Sequence, residues 1–271
     1  MPKFIPNWLI FTDLDGTLMD DRYDVKGACA ALDEVARLGN VCFPTTSKTY
    51  AEMLALNNHR TFPSAAVFEN GAGILWTSSS EPDLFGRPAE EIYALLDQIR
   101  ADYGYAFTSF SDMSVMDLMA MTGLDYDGAQ RAKTRIGSEP LLWRDSEQAF
   151  TDFRELLSQI GLQAVQGGAF VSIMDTGCSK GAALEKIVSC YQHGGPAPGI
   201  MACGDAPNDL TMLTAADTAV IFPDRQGNYL SLDVATPVFH APCAGHEAWL
   251  TAVHQALSCS NPDTLAQAAK S

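Results

Sequence analysis

The sequence has few basic residues and no long apolar segment, and each shortage excludes a class of partner. Its 17 lysines and arginines are outnumbered by 33 aspartates and glutamates, which gives a formal net charge of −16. Such a charge repels nucleic acid and anionic membrane surfaces. No apolar stretch approaches the roughly 20 residues that a membrane-spanning helix needs. We therefore expect no nucleic-acid partner and no membrane partner.

Paired cysteines are also missing. The seven cysteines are scattered without a Cys-x-x-Cys pair, and the five histidines are equally dispersed. This pattern lacks the ligand spacing of a zinc site, and it pairs no histidine with a serine or cysteine nucleophile. Because the amino terminus lacks a signal-peptide pattern and the thiols are expected to be reduced, the sequence predicts a cytoplasmic protein.

Strands and helices alternate at both ends of the chain. The apolar fraction of 47% is sufficient for a substantial core. Alternation of this kind predicts a parallel sheet covered by helices. Predicted strands lie at 8–11, 41–44, 65–68, 199–203 and 218–222, and predicted helices at 26–38, 49–57, 180–192 and 208–215. The segment Glu69-Asn-Gly-Ala-Gly after the third strand leads into a predicted return strand that ends at Trp76.

The middle of the chain has a different order of predicted helices and strands. Polar, turn-rich breaks at 77–88 and 175–179 enclose a mixture of helices and hairpin strands, which is typical of an α+β insert. The predicted helices there are 89–103, 113–121, 126–135 and 146–160, and the predicted strands are 105–110, 140–144, 162–166 and 169–174. We therefore predict an α/β core made of residues 1–82 and 177–271, interrupted by an α+β domain at 83–176.

The segment Phe-Thr-Asp-Leu-Asp-Gly-Thr-Leu at 11–18 follows the first predicted strand directly. Asp13 and Asp15 are therefore delivered to the carboxyl end of that strand, where ligands bind in open α/β sheets. Paired carboxylates repel one another unless a cation relieves them, and a hard divalent cation prefers such oxygen ligands. Taken alone, Asp-Leu-Asp-Gly is equally typical of a simple turn.

A second acidic segment, Gly-Asp-Ala-Pro-Asn-Asp at 204–209, follows the strand at 199–203. In a parallel sheet its Asp205 and Asp209 project into the same crevice as Asp13. A loop rich in turn formers is the alternative. The two segments together predict a Mg²⁺ site with four ligands, Asp13, Asp15, Asp205 and Asp209.

Two further positions suit a bound anion. Thr46 follows the second strand at the start of a helix, where free N–H groups attract anions, although a helix N-cap is a sufficient explanation. Lys180 also begins a helix, where a cation is unfavourable unless an anion such as phosphate or Asp13 compensates it. A solvated surface lysine is the alternative.

In the order in which they occur along the chain, the segment at 13–17, Thr46, Lys180 and the segment at 204–209 resemble the four motifs of the haloacid dehalogenase (HAD) superfamily of phosphotransferases. The first reads Asp-x-Asp-Gly-Thr and the last reads Gly-Asp-x-x-Asn-Asp. The insert resembles the type-two cap of HAD phosphatases. Short sequence segments along nearly the whole chain are similar to those of the mannosyl-3-phosphoglycerate phosphatase family. They are Thr46-Ser-Lys-Thr-Tyr-Ala-Glu-Met, Glu69-Asn-Gly-Ala, Phe110-Ser-Asp-Met-Ser, Thr122-Gly-Leu, Ser138-Glu-Pro, Leu142-Trp-Arg-Asp-Ser and Gln166-Gly-Gly-Ala-Phe.

The resemblance implies a fold, a cofactor and residue roles. It implies a Rossmann-like α/β core with a cap, Mg²⁺ as cofactor, Asp13 as nucleophile and Asp15 as general acid and base. The residues that it implies for phosphate or substrate binding are Thr46, Ser47, Lys48, Lys180 and Asn208.

The implied substrate is a small phosphorylated sugar acid, a hexosyl-3-phosphoglycerate. Another sugar phosphate such as sucrose phosphate, a phosphomutase reaction and a non-catalytic HAD-fold binding protein are the alternatives. The family carries arginine where this chain has Ala169. Arg135 and Arg144 are candidate substitutes for that arginine, with exposed surface arginines as the alternative.

Overall fold

A computed structural model of the chain describes residues 6–57, 65–191 and 197–259. The strands within these ranges are β1 (Trp8–Thr12), β2 (Val41–Pro44), β3 (Ala65–Phe68), β4 (Gly73–Trp76), β5 (Asp83–Leu84), β6 (Phe107–Ser109), β7 (Glu139–Trp143), β8 (Leu162–Gly167), β9 (Phe170–Asp175), β10 (Gly199–Gly204), β11 (Thr218–Ile221) and β12 (Val238–His240).

The helices within the same ranges are α1 (Val25–Arg37), α2 (Tyr50–Asn57), α3 (Ala89–Tyr103), α4 (Val115–Thr122), α5 (Tyr126–Lys133), α6 (Glu147–Gln159), α7 (Lys180–Ser189), α8 (Leu210–Ala215) and α9 (His246–Cys259). Side-chain caps begin several of them, as where Ser114 and Asp117 form a capping box at the start of α4. None of the described helices has the length and apolar character needed to cross a bilayer.

The chain divides into two compact units. Among the described residues, a core unit contains 6–46, 65, 180–191 and 197–259, and an inserted unit contains 47–57 and 66–179. The predicted insert, 83–176, lies within the inserted unit, which also contains residues that the sequence assigns to the core. The boundaries at 82 and 177 stay predictions.

A five-stranded sheet organises the core unit. Its order is β12-β11-β10-β1-β2, and every neighbouring pair is parallel. This confirms the predicted α/β fold with a parallel sheet. β1 lies inside the sheet, and its apolar residues Leu9, Ile10 and Phe11 are fully buried, as expected for a strand that is covered on both faces. The carboxyl ends of β1, β2 and β10 therefore meet at one edge.

An antiparallel sheet organises the inserted unit, in the order β6-β7-β9-β8. Helices α3 and α6 supply Leu96 and Phe153 to a buried cluster that also contains Phe107, Leu141 and Ile173 from the strands. A second cluster forms around Phe110, Met113, Leu118, Ala129 and Ala132 and includes residues of α4 and α5. The unit therefore mixes helices with hairpin strands, as the sequence predicts.

The third predicted strand does not join the parallel sheet. β3 lies in a separate three-stranded sheet with β4 and β5. The 3₁₀ turn Glu69–Gly71 joins β3 to β4, the predicted return strand, and so short a connection cannot make the crossover that a parallel pairing of these two strands would require. β5 forms inside the segment that the sequence assigns to a break. β12 and α9 are additions that the sequence analysis does not foresee.

Glu69 clamps two segments of the inserted unit. Its backbone φ is +47°, and Asn70 and Gly71 follow at +57° and +96°. The fully buried carboxylate of Glu69 accepts hydrogen bonds from Ile136 N (3.1 Å), Gly137 N (3.0 Å) and Ser138 Oγ (2.7 Å). Left-handed conformations are costly for residues other than glycine and persist only where the surroundings enforce them. These three hydrogen bonds supply that enforcement.

Candidate active site

Asp13 lies at the point where β1 ends, and its backbone is held by the neighbouring strand. Its N–H donates to the carbonyl of Cys203 on β10 at 2.9 Å. The residue is 6% exposed. β1 therefore ends in a carboxylate that is nearly removed from solvent, at the edge where the sequence predicts the site.

Lys180 joins Asp13 to a second carboxylate. This lysine is fully buried, and its Nζ donates to Asp13 Oδ1 at 2.5 Å and to Asp209 Oδ1 at 2.6 Å. A buried ammonium needs such partners because desolvation of an unpaired charge is costly. The alternative of a solvated surface lysine is therefore wrong.

The position of Lys180 depends on how closely α7 approaches α8. The N–H of Gly181 donates to Thr211 Oγ1 at 3.1 Å. A Cβ atom on Gly181 would lie 2.5 Å from the carbonyl oxygen of Thr211, so the contact requires a residue without a side chain. This contact fixes the first turn of α7 and, with it, the base of the Lys180 side chain.

Asp209 uses both of its oxygens. Oδ1 accepts from Lys180, while Oδ2 accepts from the backbone N–H groups of Asp205 (2.9 Å) and Ala206 (3.0 Å). Asp209 is fully buried. It therefore holds the loop after β10 in shape and positions Lys180 at the same time.

Thr17 orients Asp205, a contact that the sequence analysis does not assign to the site. Its hydroxyl donates to Asp205 Oδ1 at 3.0 Å. Gly16 lies between the two acidic segments with φ +85°, and a Cβ there would come within 2.7 Å of Asp205 Oδ2. The available signal was the Gly-Thr pair that follows Asp15 in the first motif.

The electrostatics of the cluster are dominated by burial and by like charge. Burial raises the pKa of Asp13 well above its ordinary value, although Lys180 lowers it. Three more carboxylates raise the pKa of Asp13 further, those of Asp209, Asp205 and Asp15. Burial and Asp209 raise the pKa of Asp205 to about 6. Burial lowers the pKa of Lys180, but the attraction of Asp13 and Asp209 outweighs it and leaves that pKa above its ordinary value.

The donor set fits a hard divalent cation. Carboxylate oxygens of Asp13, Asp205 and Asp209 lie within 4.8 Å of one another, so the three residues could hold a metal ion. Burial first, and the neighbouring carboxylates after it, raise the pKa of Asp13 and of Asp205 and so disfavour their ionised forms. A bound cation would stabilise those ionised forms. Asp15 lies near enough to influence Asp13 electrostatically, but it is outside the group of three.

The predicted phosphate-binding residues are divided between the two units. Thr46 is fully buried and follows Thr45, whose N–H donates to Thr12 O at 2.8 Å. This bond keeps the end of β2 beside the end of β1. Asn208 lies in the 3₁₀ turn Pro207–Asp209 of the core unit. Ser47 and Lys48 belong to the inserted unit. Phosphate binding by these residues stays a prediction.

The two candidate arginines occupy different surroundings within the inserted unit. Arg135 donates from Nη1 to the carbonyl of Ser47 at 2.9 Å, and its guanidinium lies 6.0 Å from the ring centre of Phe110. Arg144 is exposed, and its Nε contacts Thr108 Oγ1 at 3.3 Å. Arg135 is therefore held beside the residue that follows Thr46, whereas Arg144 fits the alternative of a surface arginine.

Comparison with known proteins identifies one family model. Residues 143–224 match a model described as haloacid dehalogenase-like hydrolase. The matched segment contains Lys180, Asp205 and Asp209, while Asp13 precedes it.

Solved structures match nearly the whole chain at low identity. A phosphatase of the haloalkanoate (HAD) enzyme superfamily from Bacteroides thetaiotaomicron is 19% identical with a TM-score of 0.65, over 95% of this chain and 97% of that chain. A sugar phosphatase of HAD subclass IIB is 17% identical with a TM-score of 0.63, over 92% and 97%. The sucrose-phosphatase of Synechocystis sp. PCC6803 is 15% identical with a TM-score of 0.61, over 93% and 97%. The chain therefore has the fold of these HAD-like proteins.

Proposed function

We propose that the protein is a Mg²⁺-dependent phosphomonoester hydrolase that uses Asp13 as its nucleophile. The observation that carries the proposal is the buried Lys180 between Asp13 and Asp209, with Asp205 beside them. A carboxylate fixed in this way, at a cation-binding strand end, suits nucleophilic attack on phosphorus. The match to a hydrolase family model and the phosphatases among the structural neighbours support the same chemistry.

In the proposed reaction Asp13 attacks the phosphorus of the ester. Lys180 binds Oδ1 of Asp13, so we assign the attack to Oδ2. A bond forms between Oδ2 and phosphorus while the bond from phosphorus to the alcohol oxygen breaks. Asp15 donates a proton to that leaving oxygen. The product on the enzyme is an aspartyl phosphate at Asp13.

The second step returns Asp13 to its starting state. Asp15 takes a proton from a water molecule, whose oxygen bonds to phosphorus as the bond to Asp13 breaks. Lys180 and Thr46 stabilise the charge that develops on the transferring group. Asp13, Asp205 and Asp209, together with Asp15, would hold Mg²⁺, which supplies neutralisation of the phosphoryl charge when bound.

The proposed substrate is a hexosyl-3-phosphoglycerate, on the strength of the sequence segments shared with the mannosyl-3-phosphoglycerate phosphatase family. A small sugar phosphate is also the substrate type named for two structural neighbours, a sugar phosphatase and a sucrose-phosphatase. Ala169 stands in place of the family arginine. We therefore propose weak discrimination in favour of the glycerate carboxylate.

Hydrolysis should require a divalent cation. We expect phosphate release from p-nitrophenyl phosphate with added Mg²⁺, its loss with EDTA, and its return with excess Mg²⁺. Because burial disfavours the ionised carboxylates of Asp13 and Asp205 and a bound cation would stabilise them, Mg²⁺ should also raise the melting temperature, and Ca²⁺ should raise it too. Full activity of metal-free enzyme, with a melting temperature indifferent to cations, would show that the carboxylate cluster holds no metal.

Substrate preference separates the specific proposal from its alternatives. We expect a higher kcat/KM for the hexosyl-3-phosphoglycerate than for hexose 6-phosphates or sucrose phosphate. Ala169→Arg should widen that preference, because an added guanidinium can bind a carboxylate through two hydrogen bonds. Gln148→Arg adds an arginine at another exposed position of the inserted unit and should change nothing. A tenfold preference for a hexose phosphate (about 1.4 kcal/mol) would refute the hexosyl-3-phosphoglycerate substrate and leave only the general phosphatase proposal. Activity that needs a bisphosphate activator would indicate a phosphomutase.

A further inference from the structure

We infer that Trp249 is a positioning residue for the nucleophile, acting through the hydroxyl of Thr12. This inference rests on the proposed role of Asp13. Trp249 lies in the first turn of α9, far along the chain from the two acidic motifs. The residue is fully buried, and its indole Nε1–H donates to Thr12 Oγ1 at 2.9 Å.

The direction of this hydrogen bond determines the next one. An indole N–H can only donate, so the oxygen of Thr12 must accept from it. The hydroxyl proton of Thr12 is then available for a single acceptor, and that acceptor is the carbonyl oxygen of Asp13 at 2.9 Å. The two bonds form a directed chain from Trp249 to the backbone of Asp13.

Without these two hydrogen bonds the carbonyl of Asp13 would be weakly held. Its other described hydrogen bond comes from Leu18 N and is long, at 3.4 Å. The N–H of Asp13 is fixed separately by Cys203 O. The hydroxyl of Thr12 therefore restrains the carbonyl of Asp13, which belongs to the peptide bond with Leu14. This restraint matters because a catalytic group must be held to within about 0.5 Å of its productive position.

The start of α9 is attached to the nucleophile loop at a second point. The N–H of Gly245 donates to Thr17 O at 3.0 Å, and Trp249 N donates to Gly245 O at 2.9 Å. Thr17 in turn orients Asp205. The segment 245–249 thus contacts Thr12 at the end of β1 and Thr17 in the following loop, one on each side of the pair Asp13 and Asp15, which places Trp249 where it can restrain the loop.

The test uses matched variants in one assay, with p-nitrophenyl phosphate and Mg²⁺ well below the lowest melting temperature. Trp249→Phe removes the N–H and keeps the ring, Thr12→Val removes the hydroxyl, and Thr12→Ser keeps it. Trp8→Phe makes the same aromatic change at the opposite end of β1. Asp13→Asn in the same assay shows whether the measured activity belongs to this site.

We expect Trp249→Phe and Thr12→Val each to lower kcat about tenfold, with KM within about twofold of wild type. Thr12→Ser and Trp8→Phe should keep wild-type kcat. The double variant Trp249→Phe/Thr12→Val should be no slower than the slower single variant, because both changes break one chain. If the single variants lower only the melting temperature, or if their effects on kcat multiply, the inference is overturned.

A spectroscopic measurement tests the hydrogen bond without turnover. The indole N–H resonance of Trp249, identified by its loss in Trp249→Phe, should shift in Thr12→Val and stay in place in Thr12→Ser. An unchanged resonance in Thr12→Val would show that the indole of Trp249 does not donate to Thr12, and the inference would be overturned. A different result is a resonance that shifts in Thr12→Val while the wild-type protein hydrolyses no phosphate ester. That result would confirm the hydrogen bond but refute the proposed function, and the positioning role of Trp249 with it. If Trp249→Phe does not fold, the comparison of the two Thr12 variants decides between these outcomes.

Discussion

Asp13→Asn should lower phosphate-ester hydrolysis by at least about 10³-fold, because the amide keeps the shape of the side chain but is a poor nucleophile. Asp33→Asn makes the same change at an exposed position of α1 and should leave activity unchanged. The measurement is phosphate release at saturating substrate, with mass spectrometry to exclude deamidation back to aspartate. Retention of a tenth of the wild-type rate would show that Asp13 is not the nucleophile.

The same variant should stay folded, with a melting temperature at or above that of the wild type in metal-free buffer. Burial raises the pKa of Asp13 in the folded state, so ionising this carboxyl costs stability. The cost is complete above the raised pKa and shrinks as the pH falls from there toward the ordinary value of an aspartate. A neutral amide removes the cost at neutral pH. A large fall in melting temperature would mean that the ion pair with Lys180 outweighs burial and the neighbouring carboxylates.

Lys180→Met should remove activity and stability together. The substitution leaves Asp13 and Asp209 buried without their shared ammonium, and breaking a buried ion pair in this way costs about 3–5 kcal/mol. Lys186→Met changes an exposed lysine of the same helix and should cost little. Urea unfolding measures both variants, and phosphate release measures the loss of turnover.

The loss of stability in Lys180→Met should depend on pH. Without the ammonium the two carboxylates can avoid their charge by binding protons, so the folded state binds more protons than the unfolded state. Stability contributed in this way is lost as the pH rises. The deficit relative to wild type should therefore be smaller near about pH 5 than near about pH 8. A deficit independent of pH would show that lost packing, rather than unpaired charge, is the cause.

The acidic site could be predicted from the sequence because its residues follow strands of one parallel sheet. Asp13 follows β1, and Asp205 and Asp209 follow β10, the direct neighbour of β1. The edge at which the chain delivers them is then fixed by topology. Lys180 was recognisable because a cation at the start of a helix requires an anion.

Contacts between distant segments left no such signal. Thr12 and Trp249 are 237 residues apart, and neither periodicity nor a local motif relates them. The place of β3 was also hidden, since an apolar run of four residues reads the same in a parallel sheet and in a hairpin. The return strand to Trp76 could be predicted from the residues that follow Phe68, but nothing in that segment indicated that β3 lies outside the parallel sheet.

The clamp at Glu69 has a consequence for which amino acids this position can tolerate. Glycine would relieve the left-handed backbone but would leave Ile136 N, Gly137 N and Ser138 Oγ without their acceptor. Glutamine would offer one acceptor oxygen where two are used, and aspartate is shorter by one methylene. Of these residues, glutamate alone supplies two acceptor oxygens at this reach, and their hydrogen bonds offset the cost of its left-handed backbone. Substitution at position 69 is therefore expected to destabilise the fold, although this residue carries no part of the proposed chemistry.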